Sequence, residues 1–199
     1  MSLFEFSNDI TLENQRVLLR PLASPDVENL LYFSLNEPAI WKYSLIRADG
    51  EDNLKKYIDI ALKSREEKKE YPFIVFDKLK NKYAGSTRFY DIQLTNQSLQ
   101  LGFTWYGSEF QGTGLNKHCK LLLLEYAFEK MNMERVEFRA DNANERSIAA
   151  MKSIGCKVEG ILRNHGLKPD GTRRDSIILS ILKEEWENGI KENLLKKIS

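Results

Sequence analysis

The sequence predicts a mixed α/β (α+β) domain on one twisted, mostly antiparallel sheet of about seven strands, flanked by helices. Three observations carry this. Runs of β-branched and aromatic residues recur, and two pairs of them are joined by turns of a few residues, as antiparallel hairpins are. Helical patterns with apolar residues three and four apart separate these runs. One helix, from Leu115 onward, has two apolar stripes: Leu115, Cys119, Leu122, Leu123, Tyr126 and Ala127, then Leu121, Leu124 and Phe128. A helix apolar over that much of its circumference is buried against a sheet.

In order, Arg16–Leu22 reads as a first strand, ended at Pro21. Ser24-Pro25-Asp26 opens a helix, with Ser24 as the cap and Pro25 at the first helical position. Its apolar residues are Leu30, Leu31, Phe33 and Leu35, and Pro38 interrupts it. A second helix runs from about Glu51 to Lys69, with Leu54, Tyr57, Ile58, Ala61 and Leu62 at helical spacing. Its charged tail, Lys63 to Glu70, is a solvated helix end. Strands follow at Tyr71–Phe76, Tyr83–Leu94 and Leu99–Tyr106, the last two joined by Thr95-Asn96-Gln97. After the long helix, Arg135–Arg139 alternates as a strand. Asn144–Ile154 reads as a short helix capped by Asn144 and ended at Gly155. Cys156–Leu167, a turn at Pro169-Asp170-Gly171, and Arg174–Leu182 form a closing hairpin. The order is β-α-α-β-β-β-α-β-α-β-β.

Composition excludes several classes. The 199 residues suit one domain, 1–199, and 30% charged with 42% apolar residues is the balance of a soluble globular protein. A net charge of +1 gives no support to nucleic-acid binding. The absence of an apolar run near 18 residues argues against a membrane partner, and the acidic N-terminus lacks a signal-peptide pattern, so the expected location is cytoplasmic. Cys119 and Cys156 have no metal-ligand spacing; no metal is expected, and Cys119 reads as a buried thiol. His118 is expected at the surface, and Lys191, Lys196 and Lys197 read as a frayed helix end.

The most informative segment is Gln111-Gly112-Thr113-Gly114, a glycine turn between a strand and the long helix. Glycines let the backbone come close to a ligand, and the first free N–H groups of a helix form an anion site, most often for phosphate. The loop is not a Walker A motif: Lys117 follows Gly114 by three residues, and His118 comes next. Nor is it a dinucleotide fingerprint, because Lys117 stands at the third glycine position. Taken alone, it also admits the reading of a plain strand-to-helix turn.

Several ordered motifs resemble the GNAT family of acyl-coenzyme A-dependent N-acetyltransferases, and in particular its RimJ/RimL-like branch. The family loop Q/R-x-x-G-x-G/A is similar to Gln111-Gly112-Thr113-Gly114-Leu115, with Asn116 in the last small-residue place. Further likeness lies at Leu18-Arg20-Pro21-Leu22, Gly102-Phe103-Thr104-Trp105, Asn144-x-x-Ser147, Gly155-Cys156, Glu159-Gly160-x-Leu162-Arg163 and Gly171-x-x-Arg174-Asp175. It covers roughly residues 15 to 183. The resemblance implies a GNAT fold and an acyltransferase that moves an acetyl group from acetyl-CoA, as cosubstrate, to a primary amine. The acceptor would be a protein N-terminus or a small-molecule amine, attacking directly in a ternary complex.

It also implies site residues. The pantetheine arm would run along Phe103, Thr104 and Trp105, held by backbone groups at a bulge, with one N–H stabilising the oxyanion. The Trp105 side chain reads equally as packed on a sheet face. Gln111, Gly112, Thr113, Gly114, Leu115 and Asn116 would hold the pyrophosphate, with Asn144 and Ser147 nearby. Ser147 is the candidate proton donor to the leaving thiolate, because Met151 and Lys152 stand where related branches place a Tyr. His165 has the intrinsic pKa of a base, directly or through water. Asp175 is the other candidate, and reads also as an ion-pair partner of Arg163, Arg173 or Arg174. Trp41, Arg88 and Tyr90, with neighbouring aromatics, are candidates for the acceptor slot, though such aromatics also form cores. The last strands offer a surface for a homodimer. The alternative to an enzyme is a non-catalytic acyl-CoA-binding protein with the GNAT fold.

Overall fold

The computed structural model describes residues 4–198. Its strands are β1 (Leu12–Glu13), β2 (Val17–Pro21), β3 (Glu70–Asp77), β4 (Lys82–Gln93), β5 (Ser98–Tyr106), β6 (Arg135–Asp141), β7 (Lys157–Leu167) and β8 (Arg173–Leu182). They form one sheet in the order β1-β2-β3-β4-β5-β6-β8-β7. Every neighbouring pair is antiparallel except β5 with β6. The sheet has eight strands where about seven are expected; the extra one, β1, is two residues long and too short to show a period.

The helices are α1 (Asp26–Asn36), α2 (Glu51–Glu66), α3 (Leu115–Glu125), α4 (Glu145–Ser153), α5 (Lys183–Glu185) and α6 (Lys191–Lys196). Between α1 and α2 lies a short 3-10 turn, Pro38–Trp41, and α3 runs on into a π turn, Tyr126–Lys130. As the two stripes require, α3 is buried: Leu115, Cys119, Leu123 and Leu124 are wholly inaccessible.

Three local expectations are corrected. Ser24 does not cap α1; the residue before the helix is Pro25, and the Asp26 carboxylate accepts the Ala23 N–H instead while pairing with Arg20. His118 is buried, its Nδ1 lying 3.3 Å from Asn14 Nδ2, because a distant loop covers that face of α3. The C-terminal lysines are not a frayed end. Trp186 stacks on Phe128 at 5.6 Å, Leu194 is buried, and Lys191 bridges Glu125 and Glu129.

The feature that shapes the site is the join of β5 and β6. They pair only from Ser98 to Gln100 against Arg135 to Glu137, then separate. The cause lies in β5. Between Ser86–Trp105 and Arg88–Gly102 it carries one more residue than β4, and Phe103 takes a left-handed φ of 49°. This is the expected bulge, which bends the strand away from its parallel neighbour.

Candidate active site

The parted strands enclose a cleft of about 790 Å³. The α3 loop closes one end, α4 forms a wall, and the segment around Tyr43 to Ile46 with His165 and Arg174 frames the other end. Of the residues singled out in the sequence, Tyr90, Phe103, Thr104, Trp105, Gln111, Gly112, Asn116, Asn144, Ser147 and His165 line this single cleft.

The loop is built as its sequence requires. Gly112 and Gly114 have φ of 75° and 85°, left-handed values at which a side chain is strained. Among the described residues, the N–H groups of Gly112, Thr113, Gly114 and Asn116 find no acceptor. These free N–H groups lie at the positive end of α3, with Gly112 and Asn116 on the cleft, a setting that suits an anion. Gln111 braces the loop: its Nε2 donates to Tyr106 O at 2.8 Å, and Arg146 donates to its Oε1. Asn116 Oδ1 accepts from the Tyr106 hydroxyl at 3.3 Å, which leaves its amide NH2 to donate. Thr113 is exposed, and its Oγ1 donates to Phe110 O at 2.8 Å, while Leu115 is buried; neither lines the cleft.

On the α4 wall, Asn144 caps the helix, its Oδ1 accepting the Ser147 N–H at 3.1 Å. Asn144→Ala is expected to cost about 1 kcal/mol, seen as a lower thermal midpoint. The Ser147 hydroxyl has no partner among the described residues and lies on the cleft. At the far end, His165 Nδ1 sits 3.0 Å from Ser176 Oγ, and Arg174 Nε donates to the same oxygen at 3.0 Å. Arg174 also reaches Tyr43 O at 3.3 Å, tying that segment to β8. Arg174 has no carboxylate in ion-pair contact among the described residues; burial is the first cause lowering its pKa, and nearby Arg139 adds to it.

Two acceptor candidates and one base candidate lie off the cleft. Trp41 is buried against Trp105 at 4.7 Å and does not line the cleft. Arg88 lies wholly inside, between the Tyr57 and Phe103 rings at 4.7 and 4.1 Å, and paired with Glu70. Both sit under α2, because the face of β4 that carries Arg88 is covered by that helix. Asp175 points off the cleft; its Oδ1 accepts the Asn164 N–H at 2.7 Å, and no arginine pairs with it among the described residues. The Trp105 side chain is core, edge-on to Phe33 at 6.0 Å.

Sequence reasoning missed Lys120. It is buried on α3, lines the cleft, and donates to Thr104 Oγ1 at 2.8 Å. Burial pushes its amine from 10.5 down to about 8. Keeping the proton there costs the fold on the order of 3 kcal/mol. Between pH 8 and 10.5 the unfolded chain holds the proton that the folded chain has released, so stability rises with pH across that window. Denaturant midpoints should favour Lys120→Met over wild type most near neutral pH, the gap closing as pH rises through the window. A gap that ignores pH would return the amine to its ordinary value.

Cys119 and Cys156 are buried, and burial raises their thiols to about 11 and 12. Neither is a nucleophile at neutral pH.

Residues 16–157 match the acetyltransferase (GNAT) domain family, and this match spans most of the chain, including β5, the loop, α3 and α4. The chain belongs to the GNAT acetyltransferases. The expected family and fold are thereby borne out, and with them an acyl-CoA-dependent enzyme class. Over 103 residues it is 34% identical to the Bacillus subtilis protein YdaF, provisionally named a ribosomal N-acetyltransferase. That match spans 52% of this chain and 55% of YdaF, about half of each. The B. subtilis protein named Probable N-acetyltransferase YjcK is 28% identical over 182 residues, 88% of this chain and 99% of YjcK. A crystal structure from T. thermophilus, provisionally named an acetyltransferase, superposes with a TM-score of 0.87 at 30% identity, covering 97% of this chain and 99% of that one. This GNAT acetyltransferase has, among its described residues, no helix long and apolar enough to cross a membrane.

Proposed function

We propose that this chain transfers an acetyl group from acetyl-CoA to a primary amine, by direct attack within a ternary complex in the β5–β6 cleft. One observation carries the reading: the parted strands lead from a glycine loop with free N–H groups at the positive end of α3, Gly112 and Asn116 among them lining the cleft, to an open polar mouth. The loop suits the pyrophosphate, with Gln111, Gly112, Thr113, Gly114, Leu115 and Asn116 shaping it. The bulged segment Phe103–Trp105 suits the pantetheine arm, which would add to β5 as an extra strand. Holding both substrates in line supplies the entropic part of catalysis. The buried, protonated thiols disfavour an acyl-cysteine intermediate and support direct attack.

The acceptor end carries Arg174 and Arg139 with His165 and Tyr90. Arg139 is paired with Glu137 and Asp141 lines the same cleft, but Arg174 has no carboxylate in ion-pair contact among the described residues and favours an amine whose neighbouring group offers a carbonyl or carboxylate oxygen, as a peptide N-terminus does. His165 is the base candidate at that end. The exposed Val158, Ile161 and Leu162 on edge strand β7 support a homodimer.

Thiol release from acetyl-CoA, screened over short peptides, amino acids and polyamines, tests the reading. Turnover is expected to be faster with free peptide N-termini than with polyamines. Preference for a polyamine would reverse the acceptor assignment, and coenzyme binding without turnover over a broad amine panel would favour the non-catalytic alternative.

A further inference from the structure

Lys120 occupies a place in the cleft that its sequence context does not explain. Its Cα is on α3, six residues beyond Gly114, which is about 9 Å along the helix axis. Its Nζ donates to Thr104 Oγ1 at 2.8 Å and lies 5.8 Å over the Phe138 ring. The ammonium therefore spans β5 and β6 close to where they part, at the bulge. Thr104 Oγ1 is in turn 2.7 Å from Thr87 Oγ1, which fixes the threonine on that side.

A buried ammonium is normally matched by a carboxylate. No carboxylate forms an ion pair with Lys120 among the described residues. The titratable groups that face it are the thiols of Cys119 on its own helix and of Cys156 just before β7, and both stay neutral. The fold thus holds a desolvated cation, without a resident anion, on the wall of the cleft. Such an arrangement stabilises negative charge that develops during a reaction.

We propose that Lys120 is the group that donates a proton to the coenzyme A sulfur as it leaves. This rests on the acyl-CoA reading above. The α3 loop holds one end of the cosubstrate, so the reacting end must lie further along the cleft, toward the bulge. There the amine nitrogen bonds to the carbonyl carbon, the C–S bond breaks, and its electron pair stays on sulfur. Nζ–H of Lys120 gives its proton to that sulfur. The new amide nitrogen loses one proton to water through the acceptor end, and Lys120 regains one from water, so the cycle closes. The low amine pKa, about 8, lies near that of an alkyl thiol, so transfer in either direction is nearly level in energy. Ser147, the donor suggested by the resemblance, is the competing assignment.

The test needs no acceptor amine. Coenzyme A is bound to wild type, Lys120→Met and Ser147→Ala, affinity is checked by calorimetry near pH 6.5, and the bound thiolate is titrated by its ultraviolet absorbance. The expected result is a bound thiol that ionises at least one pH unit below free coenzyme A in wild type and in Ser147→Ala. In Lys120→Met it should ionise at or above the free value, with affinity near pH 6.5 changed less than threefold. Equal titration in wild type and Lys120→Met, or a change confined to Ser147→Ala, would overturn the assignment while leaving the acyl-CoA reading standing. Wild type that fails to bind coenzyme A at all would overturn both.

Discussion

Glu70→Ala is expected to destabilise the fold by about 3–5 kcal/mol. Arg88 is wholly buried, and Glu70 Oε2, 2.7 Å from its Nη1, is its ion-pair partner. The guanidinium is otherwise held by the faces of Tyr57 and Phe103, and its Nε and Nη2 have no partner among the described residues. Removing the carboxylate leaves a charge in a dry layer between α2 and the sheet. Removing both charges is a different matter, because an apolar pair of similar volume avoids the desolvation cost. The double variant Glu70→Leu, Arg88→Met should therefore regain most of the loss in a denaturant titration. If the single and double variants are equally unstable, Arg88 contributes by packing alone. The result bears on the site, since the guanidinium supports the ring of Phe103, whose left-handed backbone makes the bulge.

Gly85→Ala should be the most damaging small change in the chain, costing more than ~3 kcal/mol. A Cβ at Gly85 would lie 2.0 Å from Trp105 O and 3.0 Å from Tyr106 Cα, both backbone atoms that cannot rotate away. Its φ of 156° adds strain. To make room, β4 and β5 would have to separate beside the bulge, where the register between them shifts. The neighbouring residue supplies the control. Ser86 Oγ is buried without a partner among the described residues, so Ser86→Ala removes an unsatisfied group and should be neutral or slightly stabilising. Equal midpoints for the two variants would mean that β4 and β5 are not in close contact here.

What the sequence could disclose follows from how local each signal is. The hairpin of β4 and β5 was legible because Thr95-Asn96-Gln97 breaks two β-rich runs, and α4 because Asn144 and Gly155 mark its ends. The glycine loop and α4 were legible as elements that line the cleft for the same reason, since their signals are written within a few residues. Lys120 was not. In sequence it is a lysine beside the apolar stripes of α3, the usual place of a solvated charge, and only the bulge that brings Thr104 to it turns it inward. Trp41 and Arg88 read as acceptor-slot residues because aromatic and cationic residues cluster there in sequence. Which face of β4 meets the cleft and which meets α2 is decided by packing between segments far apart in the chain. His118 shows the same limit, being covered by Asn14 from 104 residues away.

The most direct measurement is titration calorimetry of the intact chain with acetyl-CoA, coenzyme A, ATP and NAD, repeated on Gly114→Val. Gly114 has a φ of 85° with open space around it, so a β-branched residue there strains the loop without colliding with the core. The expected result is one binding site for the two coenzyme A species, none for ATP or NAD, and at least a tenfold loss in Gly114→Val with its melting point lowered only slightly. Wild type that gives no heat with either coenzyme A species, or that binds all four ligands alike, would contradict an acyl-CoA cleft between β5 and β6.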